Sequence, residues 1–145
     1  MTERTDEQVG FGFLMEVPGD VSTEKLWEVM LTKIKQPELF LPVTDVVWRP
    51  TDDGRAIYRE MSMGPHRMIE DIFSDNSKFE VIFVVTNASE MEDHINVINI
   101  DATTGVRSLE FYKRHSETKE RTWWAPPKKM VEVAMNKMFD MARAL

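Results

Sequence analysis

Between Thr44 and Arg114 the chain repeats one pattern six times, a short run of alternating apolar and polar residues followed by a tight turn. The runs are TDVVWRP, RAIYREMSM, HRMIEDIF, KFEVIFVVT, DHINVINID and VRSLEFYKR, punctuated by TDDG, GP, SDNS, NASE and ATTG. Period-two alternation bounded by turn residues marks half-buried strands. Links this short leave no room for the crossover that a parallel return needs, so consecutive strands must pair antiparallel. A seventh strand precedes them. In VGFGFLMEV, residues Val9, Phe11, Phe13, Met15 and Val17 share one face, and Gly10 and Gly12 on the other signal bending or close backbone approach.

A sheet with one strongly apolar face has to cover it. The segment after the first strand reads as a turn and then a helix. Ser22 is its N-cap, Glu24 suits its positive end, and Val21 can staple onto Leu26. Leu26, Val29, Met30 and Ile34 form its buried stripe with Trp27 beside them; Pro37 ends it or opens a short second helix, PELF, closed by Pro42. Ala125-Pro126-Pro127 opens a long terminal helix. There Val131, Ala134, Met135, Met138, Met141, Ala142 and Leu145 follow the i, i+3, i+4, i+7 rule and face the sheet, with Met130 flanking the start. Methionine fills irregular core gaps and also lines adaptable binding surfaces, so this stripe is core, pocket wall or docking surface. The order of elements is that of an α+β domain spanning residues 1–145, with residues 1–8 expected to fray. A curved antiparallel sheet wrapped on the last helix leaves a space between them.

Composition removes several classes of function. The net charge of −7 arises from 18 Lys and Arg against 25 Asp and Glu, and Lys128-Lys129 is the densest basic spot. That balance opposes binding to nucleic acid or to anionic lipid. Without cysteine there is no disulfide, thiolate metal site or thiol nucleophile. No run approaches the ~18 apolar residues of a membrane span, so no membrane insertion is expected. The charged N-terminus lacks the features of a secretory or transit peptide, which makes a cytoplasmic location the default. Monomer and dimer are both compatible with this composition.

The hairpin around MSMGPHRM allows a register argument. A loop centred between Gly64 and Pro65 sets Ile57 opposite Ile72, Arg59 opposite Glu70, Met61 opposite Met68 and Met63 opposite His66. The other face pairs Tyr58 with Asp71, Glu60 with Ile69 and Ser62 with Arg67 and reads as the wet side. The apolar face then carries Arg59 and Glu70 into the interior. A buried pair of this kind is a structural ion pair, an orienter of a polar ligand group, or a tuned acid or base.

Other motifs carry less. His66, His94 and His115 fall on different strands or their ends, without HExxH or His-x-His spacing, so no metal is expected. GFGFL lacks phosphate-loop spacing and no cofactor is expected; no GxSxG nucleophile elbow marks Ser/His/Asp catalysis, which composition still permits. Asn96 and Asn99 lie on opposite faces of one strand, so one amide points inward, where backbone groups are the usual partners. Glu90, Glu92 and Asp93 read as a solvated acidic loop. Trp123 and Trp124 anchor the last helix by default.

Taken in order, VSTEKLWEVM, PELFLPVTDVVWRPTDDGRAIYREM, RMIEDIF, INVINI and the long C-terminal helix resemble the helix-grip, START-like superfamily, also called SRPBCC, which includes the birch-pollen allergens. Within it the chain looks closest to the AtaL-like family, and the resemblance spans roughly residues 9–145. It implies a seven-stranded sheet gripping the terminal helix, two short helices after the first strand, and a cavity. Across the superfamily that cavity holds lipids, sterols, polyketides or plant hormones, in carriers, cyclases and aromatases. An arginine in the third strand and an acid in the fourth recur in the AtaL-like family, and Arg59 and Glu70 occupy those places here. The lysine–tyrosine arrangement of norcoclaurine synthases is not identifiable. The leading expectation is a binder of a small hydrophobic or amphipathic molecule, walled by Phe11, Phe13, Met15, Ile57, Met61, Met63, Met68, Ile72, Met135 and Met138. In it Arg59 orients the ligand and Glu70 holds Arg59. A cyclase or dehydratase using Glu70 and Arg59, and a protein-interaction module with a collapsed cavity, are the alternatives.

Overall fold

The computed structural model describes residues 11–88, 91–125 and 127–145. Val9, Gly10, Glu90, Pro126 and the expected fraying of residues 1–8 therefore lie outside the described residues. The elements run β1 (Phe13–Glu16), α1 (Thr23–Lys35), β2 (Thr44–Pro50), β3 (Ile57–Met63), β4 (His66–Asp75), β5 (Glu80–Val85), β6 (Glu92–Ile100), β7 (Arg107–His115) and α2 (Lys128–Ala144). Expected boundaries fall within two residues of these for β2 to β7. The second helix is shorter than expected, a 3-10 turn over Pro37–Leu39.

All seven strands form one curved antiparallel sheet in the order β1-β7-β6-β5-β4-β3-β2. Five successive hairpin-type links build β2 to β7, and β1 closes the far side by pairing with the last strand. Helices α1 and α2 pack on each other and on the concave face, which is the helix-grip arrangement of an α+β fold. The core lies between them. Leu109, Phe111, Val81, Phe83 and Ile72 rise from the sheet to meet Leu26, Met30, Ile34, Val131, Met135, Met138 and Phe139.

Local chemistry places the helices. Ser22 caps α1, its hydroxyl accepting from the Lys25 amide at 3.2 Å, and Val21 and Leu26 are both buried as a staple requires. Arg107 on β7 donates to Thr23 Oγ1 and to the Pro18 carbonyl, pinning the β1–α1 turn to the sheet. At the other helix, Arg143 bonds Asp20 and the Leu145 carbonyl accepts from Lys25 Nζ at 2.7 Å, joining the end of α2 to the start of α1. The buried arc of α2 is Val131, Met135, Met138, Phe139 and Ala142. Phe139 joins the expected stripe because α1 as well as the sheet packs on α2. Leu145 leaves it, 56% exposed, because the helix ends at Ala144.

Gly12 explains how β1 reaches its place. Its φ is +97°, and a Cβ there would stand 2.2 Å from the Phe111 carbonyl oxygen. The glycine lets the chain press onto β7 while its amide donates to the Trp124 carbonyl at 2.8 Å. Beyond β1, Thr122 continues the same edge by donating to the Lys113 carbonyl. No helix among the described residues is long and apolar enough to cross a membrane.

Candidate functional site

The β3–β4 register is the one the turn implied, with Arg59 opposite Glu70 and the two faces divided as expected. Both side chains are buried, at 2% and 3% exposure. Glu70 Oε1 accepts from Arg59 Nε at 2.9 Å and Nη2 at 2.6 Å. Arg59 Nη1 donates to the carbonyls of Lys33 and Ile34 at 3.1 and 3.0 Å. These carbonyls lie in the last turn of α1, where helix C=O groups have no partner within the helix. The pair thus fastens the C-terminal end of α1 to the middle of the sheet, and four guanidinium contacts are spent on protein acceptors. Arg59 also lies over the Phe83 ring, 5.4 Å from its centroid.

Beside this pair stands a second buried cation. Lys33 is 7% exposed, and its Nζ donates to Asn96 Oδ1 at 3.0 Å. The ammonium lies 4.3 Å from the Phe111 ring centroid and 5.9 Å from that of Phe83, both faces favourable to a cation. Burial first, and repulsion from Arg59 second, push its pKa down to about 8, against the opposing pull of Glu70. Asn96 is the inward amide, as the alternation required, but its partner is this lysine side chain and not backbone. Asn99 points to the convex face and donates to Glu110.

Where the helices stop covering the concave face, a cleft of about 280 Å³ opens, lined by Arg67, Met68, Val85, Asn87, Ala88, Glu92, His94 and Lys113. Met68, Val85, His94, Lys113 and Glu92 reach it because the β4–β7 register puts them on one face. Asn87 holds the rim, its Oδ1 accepting from the Ile69 amide and its Nδ2 donating to the Arg67 carbonyl. His94 packs edge-on against Trp124, ring centroids 5.8 Å apart. Burial, then Lys113, drive the His94 pKa down to about 4, so the imidazole is neutral near pH 7. Glu92 lies 3.4 Å from Lys113 and its carboxyl is held below the usual range chiefly by Thr122.

Of the residues the sequence singled out, Met68 lines this cleft. Met61, Ile72, Met135 and Met138 are fully buried; Phe13, Met15 and Ile57 are half-buried against the core, and Phe11 is half-buried with Trp123 at its edge. Met63, at the hairpin tip, is 37% exposed. Trp124 packs on the core as an anchor, whereas Trp123 is 67% exposed. Val85, His94, Lys113 and Lys33 were not singled out as site residues. Lys33 did carry a signal: it sits seven residues after Leu26 and four after Val29, on the apolar stripe of α1. Among the described residues, no group of three or more His, Asp and Glu is placed to hold a metal ion.

No family model matches the chain, and no curated protein matches it. Solved structures do. The di-domain ARO/CYC protein StfQ of the steffimycin biosynthetic pathway superposes with a TM-score of 0.57 at 9% identity, over 95% of this chain and 51% of that one. BexL, another di-domain ARO/CYC protein, gives 0.52 at 12% identity, over 92% and 49%. An uncharacterized Bacillus thuringiensis protein gives 0.52 at 15% identity, over 88% and 94%. The chain spans about half the length of the two di-domain proteins. At these identities the likeness is one of fold.

Proposed function

We propose that the chain binds a small hydrophobic or amphipathic molecule in the cleft formed by β4 to β7 and the residues that follow β5. The observation that carries this reading is the cleft itself, in which apolar surface from Met68, Val85 and Ala88 is set among the polar and charged groups of Arg67, Asn87, Glu92, His94 and Lys113. Small-molecule sites combine apolar surface with placed polar groups, and this one is weighted toward the polar, which suits an amphipathic ligand. Its volume of about 280 Å³ lies at the lower edge of the ~300–1,000 Å³ usual for drug-sized ligands. That favours a one- or two-ring molecule over a sterol or a long-chain lipid. Met61, Ile72, Met135 and Met138 are buried and do not line the cleft. Arg59 and Glu70 act on it indirectly, by fixing α1. The resemblance in fold to ARO/CYC proteins supports the same class of ligand.

The test is extraction of freshly purified protein with organic solvent and mass spectrometry of the extract, joined to titration with small aromatic probes followed by tryptophan fluorescence. A co-purifying compound or saturable binding is expected, lost in Val85→Phe, which fills the cleft without touching α1. An empty extract, together with probe responses that are the same in wild type and Val85→Phe, overturns the reading.

A further inference from the structure

Three buried side chains meet between α1 and the concave face, Lys33, Arg59 and Glu70, and their formal charges do not cancel. Glu70 is taken by Arg59, and among the described residues no carboxylate lies within ion-pair distance of Lys33 Nζ. Buried charges are ordinarily paired, because desolvating one without a counter-ion is costly. Here one neutral amide and two aromatic faces do the solvating. The excess positive charge lies behind the His94 wall of the cleft, which neither Lys33 nor Asn96 lines. Asn96, which holds Lys33, is two residues from His94 on the same face of β6, a separation of about 7 Å. His94 in turn lines the cleft and feels the charge of Lys33.

We propose that Lys33, held by Asn96 behind His94, is an anion subsite reached through the cleft and receives the carboxylate of a small aromatic acid. The inference rests on the binding reading above and adds the chemical class of the ligand. A carboxylate entering past His94 meets an ammonium already desolvated, so the charge-assisted bond forms where it is strongest. The aromatic part of the ligand is left against Met68 and Val85. Neutral His94 offers no competing charge, and Lys113 at the mouth is balanced by Glu92 at 3.4 Å, so Lys33 carries the preference for an acid.

The experiment is calorimetric titration of 2-naphthylacetate and of its neutral counterpart 2-(2-naphthyl)ethanol, into wild type, Lys33→Met and Lys33→Arg. Wild type should bind the acid more tightly than the alcohol. Lys33→Met should lose about 10- to 100-fold in affinity for the acid and keep its affinity for the alcohol, with Lys33→Arg restoring part of the preference. Should Lys33→Met fail to fold, the wild-type pH profile carries the test. The groups facing Lys33 are Arg59 from β3, Glu70 from β4 and His94 from β6, with Lys113 of β7 and Glu92 and Asp93 of β6 around His94. His94 is neutral throughout the alkaline range, so acid affinity should fall from about pH 7 to about pH 9.5 as Lys33 discharges, while alcohol affinity stays level. Equal affinity for acid and alcohol, unchanged in Lys33→Met or flat with pH, overturns the anion subsite but leaves the cleft as a binding site. Failure of wild type to bind either probe, together with an empty solvent extract, overturns both.

Discussion

Arg59 and Glu70 show how one turn decides a buried charge. Gly64-Pro65 sets the register, the register sets the face, and the face carries both groups inward, where the arginine finds the last carbonyls of α1. Breaking such a pair leaves an uncompensated buried charge, whereas replacing both members removes the desolvation cost as well. Arg59→Met or Glu70→Leu alone should each destabilise by about 3–5 kcal/mol, and the double substitution by clearly less than the sum. Urea unfolding of the four proteins measures this; strict additivity would show that the two side chains do not act as a unit. The pair was legible because a two-residue link admits one register. Lys33 could be read only as an anomaly, a cation on an apolar stripe, since its partners come from β5, β6 and β7 and no local pattern brings them together.

At the scale of elements, β1 is the vulnerable one. Four residues long, it holds the edge of β7 through a short ladder and through the close approach at Gly12. Alanine there meets the Phe111 carbonyl and also a φ that side chains disfavour, so Gly12→Ala should cost about 2 kcal/mol or more. Gly19→Ala, with open space around its Cβ, should stay within about 0.5 kcal/mol. Thermal unfolding compares them, and equal midpoints would remove the close approach as the reason for the glycine. The helices were readable in outline from caps and stripes. Their buried arcs were readable as well, apart from Phe139, which is buried because α2 packs on α1 as well as on the sheet, and Lys33, a cation on the stripe of α1.

For the whole molecule, the grip distributes stability unevenly. The middle strands carry buried rows on the concave face under α1 and α2, whereas β2 closes one edge with six of its seven residues exposed and a register shift near Asp45. Amides of β5, β6 and the middle of α2 should therefore exchange hydrogen only through global unfolding, and those of β2 by local opening at far lower free energy. Uniform protection across the sheet would contradict this division. The antiparallel order of β2 to β7, the faces of each strand and the covering role of the last helix follow from the sequence by itself. Side-chain period and turn length are local properties, and short links permit one topology. Only the tertiary structure decided that Met61, Met135 and Met138 are fully buried, that a cleft of about 280 Å³ opens over β4 to β7, and that a lysine is buried behind its His94 wall. Free volume is what remains after two helices and seven strands have packed. It depends on how far each helix slides along the sheet, which here is set by Arg59 at one end of α1 and by Arg107 at the other.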